Sequence, residues 1–96
     1  MKKITVRCIH ELKTWPQFFQ AMLDGTKNFE VRKDDRDFQI GDALLLREYE
    51  PVGGYSSREI SQLIIYKLSG GQFGIEKDYC VLGLSILPSK IKIEKG

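Results

Sequence analysis

Ninety-six residues, 42% hydrophobic and 29% charged, make one small domain with a single core. No apolar run approaches the ~18 residues of a membrane span, so a membrane protein built on helices is excluded. Fifteen Lys/Arg against thirteen Asp/Glu give a net charge of +2, which neither requires nor excludes a nucleic-acid partner, because a binding footprint depends on clustering. The basic N-terminus, from Met1 to Arg7, lacks the apolar stretch and cleavage site of a secretory signal, and the expected location is cytoplasmic. Cys8 and Cys80 sit inside apolar runs and read as two buried thiols. With one histidine and no CxxC pair, neither a zinc site nor any other cofactor is expected.

The first predicted element is a strand from Ile4 to Leu12, with Ile4, Val6, Cys8, His10 and Leu12 on one face. Thr14-Trp15-Pro16-Gln17 then reads as a helix start, with Thr14 as cap, Gln17 as capping-box partner and Pro16 in the first turn. Phe18, Phe19, Met22 and Leu23 follow at helical spacing, and Gly25 ends the helix. Beyond Gly25 the pattern changes to strands. The first covers Lys27 to Arg32, with Phe29 and Val31 on one face and Glu30 and Arg32 on the other. A charged loop from Lys33 to Asp37 and a turn at Ile40-Gly41-Asp42 lead into a strand from Ala43 to Tyr49, apolar on both faces at its centre.

Pro51 to Ser57 is expected to be a loop, and Ile60 to Leu68 the strongest strand. A glycine loop at Gly70 to Gly74 precedes a strand from about Tyr79 to Leu87. Ile91 and Ile93 among lysines suggest a short C-terminal edge strand. One early helix with five or six strands points to a mainly β (α+β) fold. The expected architecture is a small, mostly antiparallel β-barrel with the amphipathic helix after its first strand, occupying residues 1–96 as one domain.

The densest polar stretch runs from Gly25 to Asp37. Its charges alternate in sign, so Glu30 has Lys27, Arg32 and Arg36 as candidate partners, and it lies at a helix-to-strand junction where side chains converge. Two readings stand side by side. In one, the charges form an ion-pair network tying the helix to the barrel. In the other, a buried Glu30 carboxylate between cations accepts hydrogen bonds from a base or a substrate N–H, while guanidinium groups bind phosphate or stack on a base. His10, the only histidine, is either a core residue with one satisfied hydrogen bond or, with Glu11 and Lys13, part of the same cleft and the natural general base for any chemistry. No Ser/His/Asp spacing supports a hydrolase triad. The glycine loop carries no Walker signature; it is either a tight turn or a presenter of Phe73 as a stacking platform, with Tyr49, Tyr55 and Tyr79 as rivals. Arg58 is a further candidate for a phosphate contact. Asp34, Asp35 and Asp37 lack the spacing of a calcium loop.

The run Gly25-Thr26-Lys27-Asn28-Phe29-Glu30-Val31-Arg32 resembles the G-x-K-x-x-E-x-R signature of the ASCH superfamily, whose members have a PUA-like β-barrel. From His10 to Leu84 the chain more closely resembles a family of small uncharacterised bacterial and phage proteins of that fold. The likeness is carried by His10-Glu11-Leu12-Lys13, the stretch Phe29 to Phe38, Gly41-Asp42, Glu48-Tyr49 and Gly70-Gly71-x-Phe73-Gly74. It implies a role with RNA or a modified nucleoside in a cleft beside the barrel, lined by Lys27, Glu30 and Arg32. A related ASCH branch hydrolyses the acetyl amide of a modified cytidine with a lysine, a threonine and a glutamate. Lys27 matches that lysine, but Glu30 stands where the threonine would be, which counts against the same chemistry.

The leading expectation is therefore an RNA-binding module in which Lys27, Arg32, Lys33 and Arg36 contact phosphate and Glu30 reads a base edge, with Lys13, Arg58 and Phe73 as further contacts. A small amidohydrolase or ribonuclease using Lys27, Glu30 and His10, and a module that binds a protein partner, are the expectations from other classes.

Overall fold

The computed structural model describes residues 3–87 and 92–95. In chain order the elements are β1 (Lys3–Val6), β2 (Ile9–Thr14), α1 (Pro16–Leu23), β3 (Phe29–Lys33), β4 (Ala43–Glu50), β5 (Gly54–Ser69), β6 (Tyr79–Ile86) and β7 (Lys92–Lys95). Strands β1 and β7 pair in parallel as a two-stranded sheet. The other five form one sheet in the order β2-β4-β5-β6-β3, antiparallel except between β2 and β4. This sheet curls into a half-barrel, so the expected mainly β, barrel-like fold with one short helix is what the chain adopts. No helix among the described residues is long and apolar enough to cross a membrane.

The concave face holds the core, in which Leu12, Met22, Phe38, Leu44, Leu46, Ile64, Cys80, Leu82 and Leu84 pack together. Each such side chain contributes about 1.5–3 kcal/mol through the apolar surface it removes from water. The strand registers explain the composition: Leu12 lies opposite Leu46, which lies opposite Ile60, while Glu30 lies opposite Leu82 and Arg32 opposite Cys80. The inward row of β3 is therefore charged where its neighbours are apolar. Phe29 and Val31 take the outward row and are exposed.

Helix α1 buries Phe19 and Met22 and ends in a Schellman motif. Gly25 N–H donates to the Met22 carbonyl and Thr26 N–H to that of Ala21, with Gly25 at φ +78°. The expected cap at the other end is not formed. Trp15 occupies the N-cap position without a side-chain bond, because Thr14 is the last residue of β2, buried and paired with Glu48. Pro16 at the start of the helix brings no N–H to satisfy.

Two further expectations are corrected. The first strand is not continuous but breaks at Arg7-Cys8 into β1 and β2, which belong to different sheets. There the Arg7 guanidinium turns to Asp42, with Nη2 2.7 Å from Oδ2, and the Cys8 carbonyl accepts Ala43 N–H at 3.0 Å. The loop after β4 is also shorter than expected. Strand β5 begins at Gly54, since Tyr55 pairs with Tyr49 and Glu59 with Arg47 across a bulge in β5. The glycine loop behaves as a tight turn, and a Cβ on Gly70 would lie 1.9 Å from the Glu76 carbonyl oxygen, so only glycine fits. Ile93 lies in β7, whereas Ile91 falls outside the described residues.

Candidate functional site

Strands β2 and β3 are the two edges of the curled sheet, and no ladder joins them. Guanidinium groups cross the gap instead. Arg32 Nη2 donates to the Lys13 carbonyl at 2.9 Å, and Arg36 Nη1 donates to the Glu11 carbonyl at 2.8 Å. Two edge carbonyls on β2 that would otherwise face solvent are thus met by charged donors from the β3 side.

A cleft of about 490 Å³ opens at this seam, lined by Lys13, Thr14, Trp15, Phe18, Lys27, Phe29, Glu30, Val31 and Arg32. Glu30 is only 4% exposed. Its Oε2 accepts from Lys27 Nζ, and its Oε1 accepts from Arg32 Nε at 3.1 Å and Nη2 at 2.7 Å. A carboxylate offers about four acceptor positions, so these three donors leave one, on Oε2. Without the two cations a charge this buried would be strongly disfavoured. Trp15, Phe18 and Phe29 are each between 40% and 47% exposed and present ring surface to the cleft. Lys27 Nζ also donates to the Phe29 carbonyl at 2.6 Å and lies 5.1 Å from the Phe29 ring centroid. Thr14 Oγ1 is 3.5 Å from Arg32 Nη2. The site is therefore a fixed carboxylate with one open acceptor position, flanked by two cations and bordered by flat apolar rings.

A second, more polar cleft of about 430 Å³ adjoins it, lined by Glu11, Leu12, Lys13, Arg32, Arg36 and Tyr55. Lys13 and Arg32 belong to both clefts.

The structure thus brings together Lys27, Glu30, Arg32 and Lys13, with Arg36 and Glu11 next door. Arg36 does not pair with Glu30. Four other candidates lie elsewhere. His10 is 6% exposed and outside both clefts, with Nε2 2.9 Å from Asp42 Oδ2, its ring edge-on to Phe38 and Nδ1 3.9 Å from Cys8 Sγ. Of the two expected placements, the structure puts His10 in the core and not in the cleft. Arg58 is bound by Glu48 at 2.9 Å through both Nε and Nη2, reaches Gln20 at 3.3 Å and lies over the Phe19 ring. Lys33, in the outward row of β3, is exposed at the strand end opposite Tyr79. Phe73 is 83% exposed in the β5–β6 turn and lines neither cleft. Of the two thiols, Cys80 is buried, which pushes its pKa up, and Cys8 is half-buried. Trp15, Phe18 and Phe29, with Thr14 and Val31, are the cleft residues that sequence reasoning missed. The rings sat in the helix-start and strand patterns, and nothing in those patterns separates a ring facing the core or solvent from one facing a cleft.

Two other buried carboxylates differ in setting. Burial opposes ionisation of Asp42, but hydrogen bonds from Arg7, His10 and the Gln39 N–H outweigh it and hold the carboxyl below its ordinary value. Glu48 is held down to about 2 by its hydrogen bonds from Arg58 and from the Ser56 hydroxyl. Among the described residues, no group of three or more His, Cys, Asp or Glu side chains is arranged to hold a metal ion.

Residues 9–84 match a family model described as a domain of unknown function, DUF3850. The chain belongs to this family. The matched span contains both clefts and the five strands of the main sheet apart from the last two residues of β6. An uncharacterised 12.9 kDa protein in the GpA 3′ region of Escherichia phage P2 is 38% identical over 56 residues, 58% of this chain and 50% of that protein. The DUF3850 chain therefore spans about half the length of the curated relative it matches.

Proposed function

We propose that this DUF3850 protein binds RNA by taking one unstacked base into the aromatic cleft. In this reading Glu30 accepts a hydrogen bond from a base N–H at its open Oε2 position, while Lys27 and Arg32 hold the carboxylate and meet nearby phosphate. The observation that carries the proposal is a carboxylate, nearly fully buried and clamped by two cations, in a cleft lined by Trp15, Phe18 and Phe29. Unstacked bases are recognised in this manner, by stacking on aromatic or guanidinium planes and by hydrogen bonds to their edges. The likeness of Gly25 to Arg32 to the ASCH signature supports the same reading. A hydrolytic role has less support, because His10 is turned away to Asp42.

Trp15 is the only tryptophan in the chain and lines the cleft, so its fluorescence reports on occupancy directly. Short single-stranded RNA should quench it saturably, and Glu30→Gln should weaken that binding about tenfold. Absence of quenching by any nucleic acid would sink the proposal and leave the cleft to a protein partner. Turnover of RNA or of an N-acylated nucleoside, lost in Lys27→Ala, would replace binding with catalysis.

A further inference from the structure

We infer that the polar cleft beside the base cleft is a phosphate site, so that the unit recognised is a base together with a flanking phosphodiester of a single strand. The inference rests on the base-binding reading of the first cleft and names the ligand class that the combined surface fits.

The polar cleft has three cations, Lys13, Arg32 and Arg36, and one carboxylate, Glu11. Glu11 is already matched by Arg47, with Nη1 3.4 Å from Oε2. Among the described residues Arg36 forms no ion pair. Its recorded bond is Nη1 to the Glu11 carbonyl, which leaves Nε and Nη2 for a ligand. Lys13 likewise forms no ion pair among the described residues, and its ammonium lies 4.4 Å over the Tyr49 ring. Arg32 directs Nε and Nη2 to Glu30 and the Lys13 carbonyl, which leaves Nη1. Arg36 and Lys13 thus bring positive charge without a compensating carboxylate, beside the Arg32 fork that Glu30 already pairs, and phosphate oxygens satisfy such charge.

Arg32 and Lys13 form the boundary common to both clefts, so a ligand that fills one is next to the other. A base inserted between Trp15, Phe18 and Phe29 must have left its stack, which a duplex resists and a single strand permits. Tyr55, held at its ring face 4.0 Å from the Arg47 guanidinium, lines the far side of the polar cleft and offers a surface for the next nucleotide.

The test titrates Trp15 fluorescence with the four nucleosides, their 3′- and 5′-monophosphates, and dinucleotides. In parallel, the Arg36 Nε–Hε resonance is followed with inorganic phosphate. The variants are Arg36→Gln, which keeps a donor for the Glu11 carbonyl but removes the charge, and Lys13→Gln at an exposed position in case the first fails to fold. A phosphate should tighten binding about tenfold over the nucleoside, and each variant should erase most of that gain, with nucleoside binding itself unchanged in Arg36→Gln, whose side chain lines the polar cleft alone. Nucleosides that quench Trp15 with no gain from phosphate, or a gain that survives both variants, overturn the phosphate site. Nucleosides that fail to quench while inorganic phosphate still moves Arg36 overturn the base reading and leave the anion site standing. Duplex RNA binding as tightly as a single strand overturns the choice of ligand class.

Discussion

Glu30 and Glu48 share a local chemistry and differ in what lies above them. Both are buried carboxylates on inward rows of the same sheet, and both are held by an arginine fork. Around Glu48 the partners link neighbouring elements: Ser56 supplies a hydroxyl, and Arg58 reaches across to Gln20 and the Phe19 ring, tying α1 to the β4–β5 bulge. Around Glu30 the edges of the sheet stay apart, and a cleft bordered by exposed rings opens instead. Asp42 resembles Glu48, enclosed by Arg7, His10 and Gln39. An ion pair inside the barrel wall ties elements together, whereas the same pair at the open seam borders a cleft that we propose takes a ligand.

That contrast has measurable consequences. The largest belongs to the barrel wall. Asp42→Ala leaves the buried His10 and the Gln39 N–H without their acceptor, and unfolding in urea should show a loss of about 3 kcal/mol with nucleoside binding retained. On the open side, Phe18→Ala should weaken ligand binding by roughly 1–3 kcal/mol, the worth of one stacked base, while changing stability by no more than about 0.5 kcal/mol. If Phe18→Ala proves as destabilising as Asp42→Ala, the two regions are not distinct.

Acid sharpens the comparison further. The folded values of Asp42 and Glu48 lie below their ordinary ones, so their stabilisation is present above the ordinary carboxylate range and is lost as the pH falls through the folded values, for Glu48 toward about 2. Melting temperature should decline across that window, and Glu48→Gln should flatten the decline. The smallest effect is on stability at Glu30. Glu30→Gln should leave the melting temperature unchanged or slightly raised, since Lys27 and Arg32 keep the Phe29 and Lys13 carbonyls as acceptors when the carboxylate is neutralised. A clear drop in melting temperature with RNA binding intact would mark Glu30 as a structural ion pair like Glu48.

Much of the fold was legible because alternation and helical spacing record which side chains leave water. Leu12, Leu44, Leu46 and Ile64 were readable in strands, and Phe18, Phe19, Met22 and Leu23 as the apolar positions of α1, of which Phe19 and Met22 are buried. Misreadings cluster where a side chain answers to a distant partner. Thr14 has the composition of a cap, yet its place in the ladder beside Glu48 overrides that preference. Ser56 and Arg58 looked like loop residues because their bonds to Glu48 are made across the sheet. His10 had two readings, and Asp42, thirty-two positions along the chain, decided between them.

By itself the amino-acid sequence determined a small, mainly β chain with one helix ended at Gly25, and a run of alternating charge from Lys27 to Arg36. These properties follow from local preference and from the period at which apolar residues recur. Only the tertiary structure decided that β3 is an edge strand whose charged row points inward and whose apolar row points out. It also decided that Arg32 and Arg36 reach the carbonyls of β2, and that Trp15 and Phe18 stand over Glu30 rather than in the core. Alternation divides a strand into two faces, but which face meets the core depends on where that strand lies in the sheet. That position is set by pairings between residues far apart in the chain.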